Sequence, residues 1–244
     1  MKKAFIFGIS GTMGKTLVAR AADFGYEITG GFDKVPADGI PTFTDIRDVN
    51  VPFDVIIDFS IPCTLAALVA LADAKRVPAV IATTGYNDSE LKMIRMLSQK
   101  VPVFRSGNMS LGVAAVKAAA QTVQKILGDG FDIEIVEKHH NRKIDNPSGT
   151  ALMLADALSP RENQTVNRFG KRSRGEVGIT SVRGGTVVGE HEIGFYGDDE
   201  IVTLSHSARS RKLFAAGAFK AADLLLSVKS SGMYDMDDII NSVN

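Results

Sequence analysis

A strand, a glycine-rich turn and a helix open the chain, and this order constrains the fold more than any other feature of the sequence. The apolar run 4–7 leads into glycines at positions 8, 11 and 14, and an apolar run typical of a helix follows. Glycines at such a turn allow a tight bend, a close approach of backbone N–H groups to a pyrophosphate, and packing of the helix on the strand. The G-x-x-G-x-x-G spacing departs from the strict G-x-G-x-x-G motif, so the spacing alone is a weak indication.

An acidic residue at the expected distance strengthens the prediction of a dinucleotide site. A second predicted strand, 27–32, ends at Asp33, which lies 19 residues after Gly14, against about 20 for a carboxylate that binds the ribose. Asp33 favours the 2′-hydroxyl of NAD, whereas Lys34 favours the 2′-phosphate of NADP, so the preference between the two cofactors stays open. A tight turn without a ligand is the alternative. A P-loop is excluded, because its motif requires glycine where Ile9 stands.

Strand-like and helix-like runs alternate through the first half of the chain. The predicted strands are 54–59, 78–82 and 101–104, and the predicted helices are 64–75, 89–100 (capped by Asp88 or Ser89) and 111–127. This alternation predicts an α/β fold with a doubly wound, Rossmann-like parallel sheet. Ligands bind beyond the C-terminal ends of such strands, where the polar stretches 58–60, 83–85 and 106–110 stand.

The pattern changes after Gly128, which predicts a second α+β domain with a mixed or antiparallel sheet. Its predicted elements are strand 131–137, helix 149–158, a polar and basic loop at 161–175, strand-like runs at 178–183, 185–195 and 200–207, and a helix at 212–229 that returns to the first domain. We therefore expect a dinucleotide-binding domain at 1–110 and 212–244, and a substrate-binding and oligomerisation domain at 111–211.

The run 137–151 concentrates the groups needed for proton transfer beside a bound anion. His139 and His140 are adjacent imidazoles, whose ordinary pKa lies near neutrality, and Lys143 adds a permanent positive charge. The turn 148–150, Ser-Gly-Thr, precedes an apolar helical run, and the free N–H groups of a helix start bind carboxylate or phosphate. The run predicts an acid beside a site for a small dianion. Two solvated histidines in a polar loop are the alternative.

Composition fits an enzyme of the cytoplasm that binds neither nucleic acid nor membrane. The 28 basic and 28 acidic residues cancel, so no overall field attracts nucleic acid or an anionic surface. The start of the chain lacks a secretory pattern, and no apolar run is long enough to span a bilayer. The single cysteine, Cys63, excludes an internal disulfide. We expect Cys63 to be a small buried apolar side chain rather than a nucleophile.

Two rival classes of function stay open. A metal-dependent hydrolase would use the four histidines, at 139, 140, 191 and 206, but the chain has no His-Glu-x-x-His motif and no spaced Cys/His set. We therefore expect no metal site. The other rival is a sensor that binds NAD(P) without chemistry, which would not need a proton donor beside a dianion site.

The chain resembles the dihydrodipicolinate reductase family over nearly its whole length. The resemblance is carried by residues 8–14, 58–60, 82–85, 108–110, 137–151, 183–191 and 214–218. The run Glu-x-His-His-x-x-Lys-x-Asp-x-Pro-Ser-Gly-Thr-Ala is highly specific, whereas the glycine loop is not. Lys138 and Asn146 stand where the family often has alanine, and the 161–175 segment is short. The first two departures lie beside the implied catalytic residues and remove no role.

The resemblance implies a reaction and a set of roles. It implies reduction of 4-hydroxy-tetrahydrodipicolinate by NADH or NADPH to tetrahydrodipicolinate in lysine biosynthesis, and a homotetramer assembled through the second-domain sheet. His139 would be the general acid and Lys143 its partner, and His140, Ser148, Gly149 and Thr150 would bind substrate carboxylates. The cofactor would contact Gly8, Gly11, Thr12, Met13, Gly14, Asp33, Lys34, Phe59, Thr83, Thr84, Gly85, Asn108, Met109, Ser110 and Leu111.

Some assignments stay open beside the resemblance. Arg183 and Arg211 are further candidates for carboxylate or loop contacts, and a surface salt bridge is an equal alternative for each. A reductase of another imine or of a 2-oxo acid on the same scaffold is the nearest alternative function, because a fold alone does not fix a substrate.

Overall fold

The structure, a computed structural model, describes residues 1–242 and divides into two compact units. The first unit comprises Met1–Leu111 and Arg211–Asn244, and the second comprises Gly112–Ser210. The last two residues of the predicted dinucleotide-binding domain, 243–244, lie outside the described residues. Within residues 1–242, no helix is both long and apolar enough to cross a membrane.

The elements are numbered in chain order. The strands are β1 (Lys2–Phe7), β2 (Tyr26–Phe32), β3 (Thr42–Phe43), β4 (Val55–Asp58), β5 (Ala79–Ile81), β6 (Pro102–Arg105), β7 (Asp132–His139), β8 (Gln164–Val166), β9 (Val177–Arg183), β10 (Glu190–Tyr196), β11 (Ile201–Ser207) and β12 (Gly232–Tyr234). The α-helices are α1 (Thr12–Arg20), α2 (Leu65–Lys75), α3 (Asp88–Ser98), α4 (Leu111–Leu127), α5 (Gly149–Leu158), α6 (Lys212–Ser227) and α7 (Met236–Asn241).

The first unit contains a parallel sheet in the order β12-β6-β5-β4-β1-β2-β3. Its central strands are buried on both faces, because apolar residues fill consecutive positions as in β1 and β4. Helices α2 and α3 share one core with Phe5, Phe7 and Ile56, while α6 contacts β4, β5 and β6. The predicted doubly wound sheet is confirmed.

The second unit contains a mixed sheet in the order β11-β10-β7-β9-β8. Strand β10 runs antiparallel to β7 and β11, whereas β7 and β9 are parallel, as are β8 and β9. Alternate residues of these strands, such as Ile135 and Ile193, share a core with Leu154 of α5 and Val113 of α4. The predicted second sheet is confirmed as mixed.

Local details differ from the sequence expectations. Helix α3 is capped by Asn87 rather than by Asp88 or Ser89, because Asn87 and Glu90 each accept a hydrogen bond from the other's backbone N–H. The predicted loop 161–175 contains the short strand β8, and β3, β12 and α7 were not predicted. These short elements carry too few residues for a detectable hydrophobic period.

Candidate active site

Two glycines of the first turn are required by close backbone contacts. Gly8 follows β1 with φ of +80°, and a Cβ there would lie 2.7 Å from the Phe59 carbonyl oxygen. Gly14 is helical, and its Cβ would lie 2.2 Å from the carbonyl oxygen of Gly8. Helix α1 therefore packs directly against the turn that precedes it.

The N-terminus of α1 is suited to an anion. Its first turn, Thr12 to Lys15, contains no acidic residue, and within the described chain no side chain caps the preceding Gly11. The predicted residues Thr12 and Met13 are the first two of the helix, so their N–H groups belong to its unpaired first turn. The positive end of the helix dipole favours a pyrophosphate at this position.

A cavity of about 320 Å³ adjoins this turn in the first unit. Its lining combines apolar and polar residues: Gly8, Gly11, Phe32, Asp33, Lys34, Thr44, Phe59, Ser60, Ile61, Cys63 and Thr64. Five of these were predicted to contact the cofactor, and the other six were not: Phe32, Thr44, Ser60, Ile61, Cys63 and Thr64. Cys63 is exposed at this cavity, so the prediction of a buried cysteine is wrong. It lies in a short 3₁₀ turn, Pro62–Thr64, that precedes α2.

Asp33 is engaged by the backbone of its own unit. Its two carboxylate oxygens accept hydrogen bonds from Ser10 N at 3.0 Å and from Val35 N at 3.3 Å. The Ser10 hydroxyl also donates to the carbonyl of Val35. Asp33 thereby ties the end of β2 to the glycine turn, in addition to any contact with a ribose.

The remaining predicted cofactor residues lie at the same edge of the sheet. Residues 83–85 follow β5 and residues 108–111 follow β6, and these neighbouring strands are parallel. A Cβ on Gly107 would lie 3.3 Å from Thr84 Cγ2, so the two loops are in contact. Met109 and Ser110 are buried, so backbone atoms are what they offer a ligand.

Asp58 is a fully buried carboxyl at this edge. Its side chain accepts hydrogen bonds from Ser60 N at 3.0 Å and from Tyr86 Oη at 3.3 Å. Burial raises the pKa of Asp58 above its ordinary value, against the lowering effect of these hydrogen bonds. Asp58 thus holds the loop that carries Phe59, one of the predicted cofactor contacts.

His139 is the last residue of β7 and is buried in the second unit. The strand continues two residues beyond its predicted end, so His139 belongs to the sheet, and the alternative of a solvated loop histidine does not hold for it. Its Nδ1 lies 2.5 Å from Oε2 of Glu137. The two side chains share one face because they are two residues apart on a strand.

Glu137 is fully buried and receives several hydrogen bonds. Both terminal nitrogens of Arg183 donate to its carboxylate, at 2.8 and 2.7 Å, and Ser148 N donates at 3.0 Å. Burial raises the pKa of Glu137, but the hydrogen bonds from Arg183, His139 and Ser148 outweigh burial and lower the pKa to about 2. Glu137 is therefore ionised at neutral pH. No role was predicted for Glu137, because the predicted strand ended at 137 and so did not place Glu137 and His139 on one strand face.

Lys143 and His140 lie in the loop that follows β7. Lys143 Nζ is 2.8 Å from Asp145 Oδ1, and Lys143 N donates to the His140 carbonyl at 3.1 Å. The hydrogen bond from Lys143 lowers the pKa of Asp145. The Lys143 side chain is only partly exposed, so its charge is held near the end of β7.

The predicted turn at 148–150 is the start of α5. Ser148 is its N-cap and accepts a hydrogen bond from Ala151 N at 3.1 Å, and Gly149 and Thr150 begin the helix. Ser148 is 2 % exposed, and its Oγ also lies 3.1 Å from Nε2 of His191. Its observed contacts are therefore within the protein, and its contact with substrate stays a prediction.

His191 on β10 and Arg183 on β9 are brought to the site by the sheet. The His191 ring stands edge-on to that of His139 with centroids 5.2 Å apart. Burial, together with the charge of His139, lowers the pKa of His191 to about 4. The pairing of Arg183 with buried Glu137 contradicts a surface salt bridge for Arg183, whereas Arg211 is the exposed residue preceding α6.

The possible metal ligands of the described chain are not clustered as a metal site requires. Among residues 1–242, no group of three or more histidine, cysteine, aspartate or glutamate side chains is placed to hold a metal ion.

Comparison with known proteins gives a consistent result along the whole chain. Residues 2–109 match the family model "Dihydrodipicolinate reductase, N-terminus", and residues 112–240 match "Dihydrodipicolinate reductase, C-terminus". The chain is 44% identical over 250 residues to the 4-hydroxy-tetrahydrodipicolinate reductase of Caldanaerobacter subterraneus, with 98% of both chains covered. It is 40% identical over 251 residues to the same enzyme of Clostridium tetani, with 99% of this chain and 98% of the relative covered.

A solved structure shares the fold. The dipicolinate-bound dihydrodipicolinate reductase of Paenisporosarcina sp. TG-14 aligns with a TM-score of 0.80 at 24% identity, covering 96% of this chain and 97% of that chain. The two family models together match residues 2–109 and 112–240 of the chain. The chain belongs to the dihydrodipicolinate reductase family.

Proposed function

We propose that the protein reduces 4-hydroxy-tetrahydrodipicolinate to tetrahydrodipicolinate with NADH or NADPH, in the diaminopimelate route to lysine. The most direct support is the arrangement of the second unit, where His139 is held against an ionised carboxylate and is followed by Lys143 and the start of α5. This set combines an acid with groups that bind carboxylates. The chain also has full-length relatives that are named as this reductase.

The first unit fits a dinucleotide. The uncapped N-terminus of α1, which Gly8 and Gly14 hold close to β1, suits a pyrophosphate, and the adjoining cavity offers Asp33 and Lys34 for the ribose end. When bound, the reduced nicotinamide supplies the hydride. The chain's own part is to bind and orient it, and Asp33 and Lys34 favour the use of both NADH and NADPH.

His139 is assigned as the general acid and Lys143 as its partner. Hydride addition to a conjugated imine leaves electron density that an acid must neutralise, and the Nδ1 contact with Glu137 leaves Nε2 of His139 to donate that proton. Lys143, His140 and the first N–H groups of α5 would bind the two carboxylates, with Ser148, Gly149 and Thr150 contributing at the helix start. The dipicolinate in the Paenisporosarcina reductase supports a dicarboxylate ligand.

The test is consumption of reduced nicotinamide when a lysine-pathway synthase generates the dicarboxylate in the cuvette. Turnover that depends on the synthase, measured with NADH and NADPH in parallel, is the expected result. Absence of turnover while cofactor binding persists would reject this substrate. It would favour a reductase of another imine or 2-oxo acid, or an NAD(P) sensor.

We also propose a homotetramer of the cytoplasm without a nucleic-acid or membrane partner. Support comes from the outer face of the second-unit sheet, where Tyr196 on β10 and Ile201 on β11 are exposed apolar side chains at paired positions. Val182 is exposed on the same sheet, on β9. Exposed apolar side chains clustered on one face are typical of an interface between subunits. The balanced charge of the chain supports the absence of a nucleic-acid partner.

A further inference from the structure

One buried carboxylate contacts three elements of the second-unit site. Glu137 lies on β7, its Oε2 faces His139 Nδ1 on the same strand, and Arg183 reaches it from β9. The backbone N–H of Ser148 donates to Oε1 from the start of α5. All of these partners converge on a side chain with no solvent-accessible surface.

We propose that Glu137, held by Arg183, is the positioning residue of the site: it fixes the tautomer and orientation of His139 and sets where α5 begins relative to that histidine. This inference rests on the proposed function, in which His139 is the acid. Glu137 touches neither substrate nor cofactor in it, and it acts through His139 and Ser148.

The tautomer follows from the chemistry of the carboxylate. An ionised carboxylate has only acceptors, so the hydrogen of the short Nδ1 contact belongs to His139. Nε2 is thereby left as the nitrogen that exchanges a proton with a ligand. A Cβ on Gly189 would lie 3.0 Å from this nitrogen, so the lack of a side chain at position 189 keeps Nε2 unobstructed.

Arg183 extends the arrangement to the loop that carries Lys143. Its Nη2 also donates to the Asp145 carbonyl at 2.6 Å, and its Nη1 to the Val182 carbonyl at 2.9 Å. Asp145 in turn pairs with Lys143. Through these contacts the Glu137–Arg183 ion pair links His139, the loop that carries Lys143 and the start of α5.

The titratable and charged groups that surround the His139 imidazole are Glu137 on its own strand, Arg183 on β9, His191 on β10 with His206 beyond it on β11, and the Lys143–Asp145 pair on the following loop. Among them it is Glu137 that accepts the Nδ1 hydrogen of His139.

The experiment compares kcat and KM of the wild type and of Glu137→Gln. Loss of the carboxylate should lower kcat about 10²-fold or more, with a smaller change in KM. Glu134→Gln is the matched control, because Glu134 lies on the same strand and pairs with Arg168 and Arg172 instead. The control should keep the wild-type kcat and KM.

A merely structural role for Glu137 predicts another outcome. The variant would then lose thermal stability while its folded fraction kept the wild-type kcat and KM, and that result would overturn the proposal.

Nitrogen NMR of the wild type supplies a second measurement that does not depend on the folding of a variant. The chain has four histidines, and His139→Gln assigns the signal of interest. We expect the neutral ring of His139 to carry its hydrogen on Nδ1, with Nε2 unprotonated. A neutral form protonated at Nε2 would overturn the proposal. Failure of the wild type to reduce the dicarboxylate would reject the proposed function alone, since the NMR result is obtained without substrate.

Discussion

At the scale of single residues, two neighbouring histidines experience opposite surroundings. His139 contacts an ionised carboxylate, whereas His191 is buried against His139, and burial lowers the pKa of His191. A histidine held neutral in this way is suited to a hydrogen-bonding role, which the contact of His191 with Ser148 provides. The difference in surroundings supports His139, and not His191, as the proposed acid.

Substitution of the acid tests this assignment. We expect His139→Gln to lower kcat by about 10²- to 10⁴-fold, the usual size of acid catalysis. The dissociation constants of NADH and NADPH should change little, because His139 lies in the second unit and the predicted cofactor turn in the first. Steady-state kinetics and fluorescence titration of the cofactor provide the two measurements. An unchanged kcat would remove His139 from the mechanism.

Cofactor preference is expected to depend on Asp33. Asp33→Ala removes a negative charge that disfavours a 2′-phosphate, so the ratio of kcat/KM for NADPH to that for NADH should rise, by about tenfold. Asp33→Asn is the control, because it removes the charge but keeps an acceptor for the N–H groups of Ser10 and Val35. Both variants should shift in the same direction, and a shift toward NADH would contradict the role of Asp33.

His191 makes stability depend on pH. Its pKa is about 4 in the folded protein and about 6.5 in an unfolded chain, so the unfolded state takes up the proton first. The free energy of unfolding should therefore fall as pH drops from about 6.5 to about 4, with His191 contributing about 2 to 3 kcal/mol of the loss at pH 4.5. Urea unfolding of the wild type and of His191→Gln at pH 7 and pH 4.5 measures this contribution. Equal losses in both proteins would assign the effect to other groups.

At the scale of elements, close backbone contacts fix helices against the loops that carry predicted cofactor residues. A Cβ on Gly217 of α6 would lie 1.7 Å from the Met109 carbonyl oxygen, so this helix and the 108–111 segment approach as closely as backbones allow. Gly14 has the same function between α1 and the first turn. In both cases a glycine places a predicted cofactor segment at the sheet edge.

Enlarging Gly217 tests this contact. Gly217→Ala should lower the free energy of unfolding by about 1 to 3 kcal/mol, as overpacking does, and should weaken cofactor binding because the 108–111 segment is displaced. Gly130→Ala is the control, since a Cβ at Gly130 meets no atom within 4 Å and its backbone needs no left-handed conformation. Thermal unfolding and cofactor titration of the two variants distinguish the cases. Equal stability would show that α6 can move away without cost.

At the scale of the whole molecule, the outer face of the second-unit sheet is the proposed interface between subunits. Ile201 is 61 % exposed at the start of β11 and lies beside Tyr196 on β10. If this face joins subunits, Ile201→Glu should shift the mass measured by light scattering from tetramer toward smaller species. Met96→Glu is the control, because Met96 is similarly exposed on α3 in the first unit. An unchanged tetramer in Ile201→Glu would place the interface elsewhere.

The sequence by itself determined the features that depend on local pattern. Apolar runs alternating with helical runs predicted the parallel sheet of the first unit, and the boundaries of α4 and α5 agree with those expected. The glycine spacing and Asp33 predicted the dinucleotide turn, because the backbone geometry of a tight turn restricts which residues fit. The 137–151 run identified the candidate acid from residue types alone.

Only the tertiary structure decided which side chains meet at that acid. Glu137 and Arg183 are 46 residues apart in sequence, and Ser148 and His191 are 43 apart. They meet because the register of β7 pairs His139 with Arg183 on one side, while β10 on the other side brings His191 opposite Glu137. Strand register is set by how the whole sheet buries its apolar face, and no short segment of sequence contains that information.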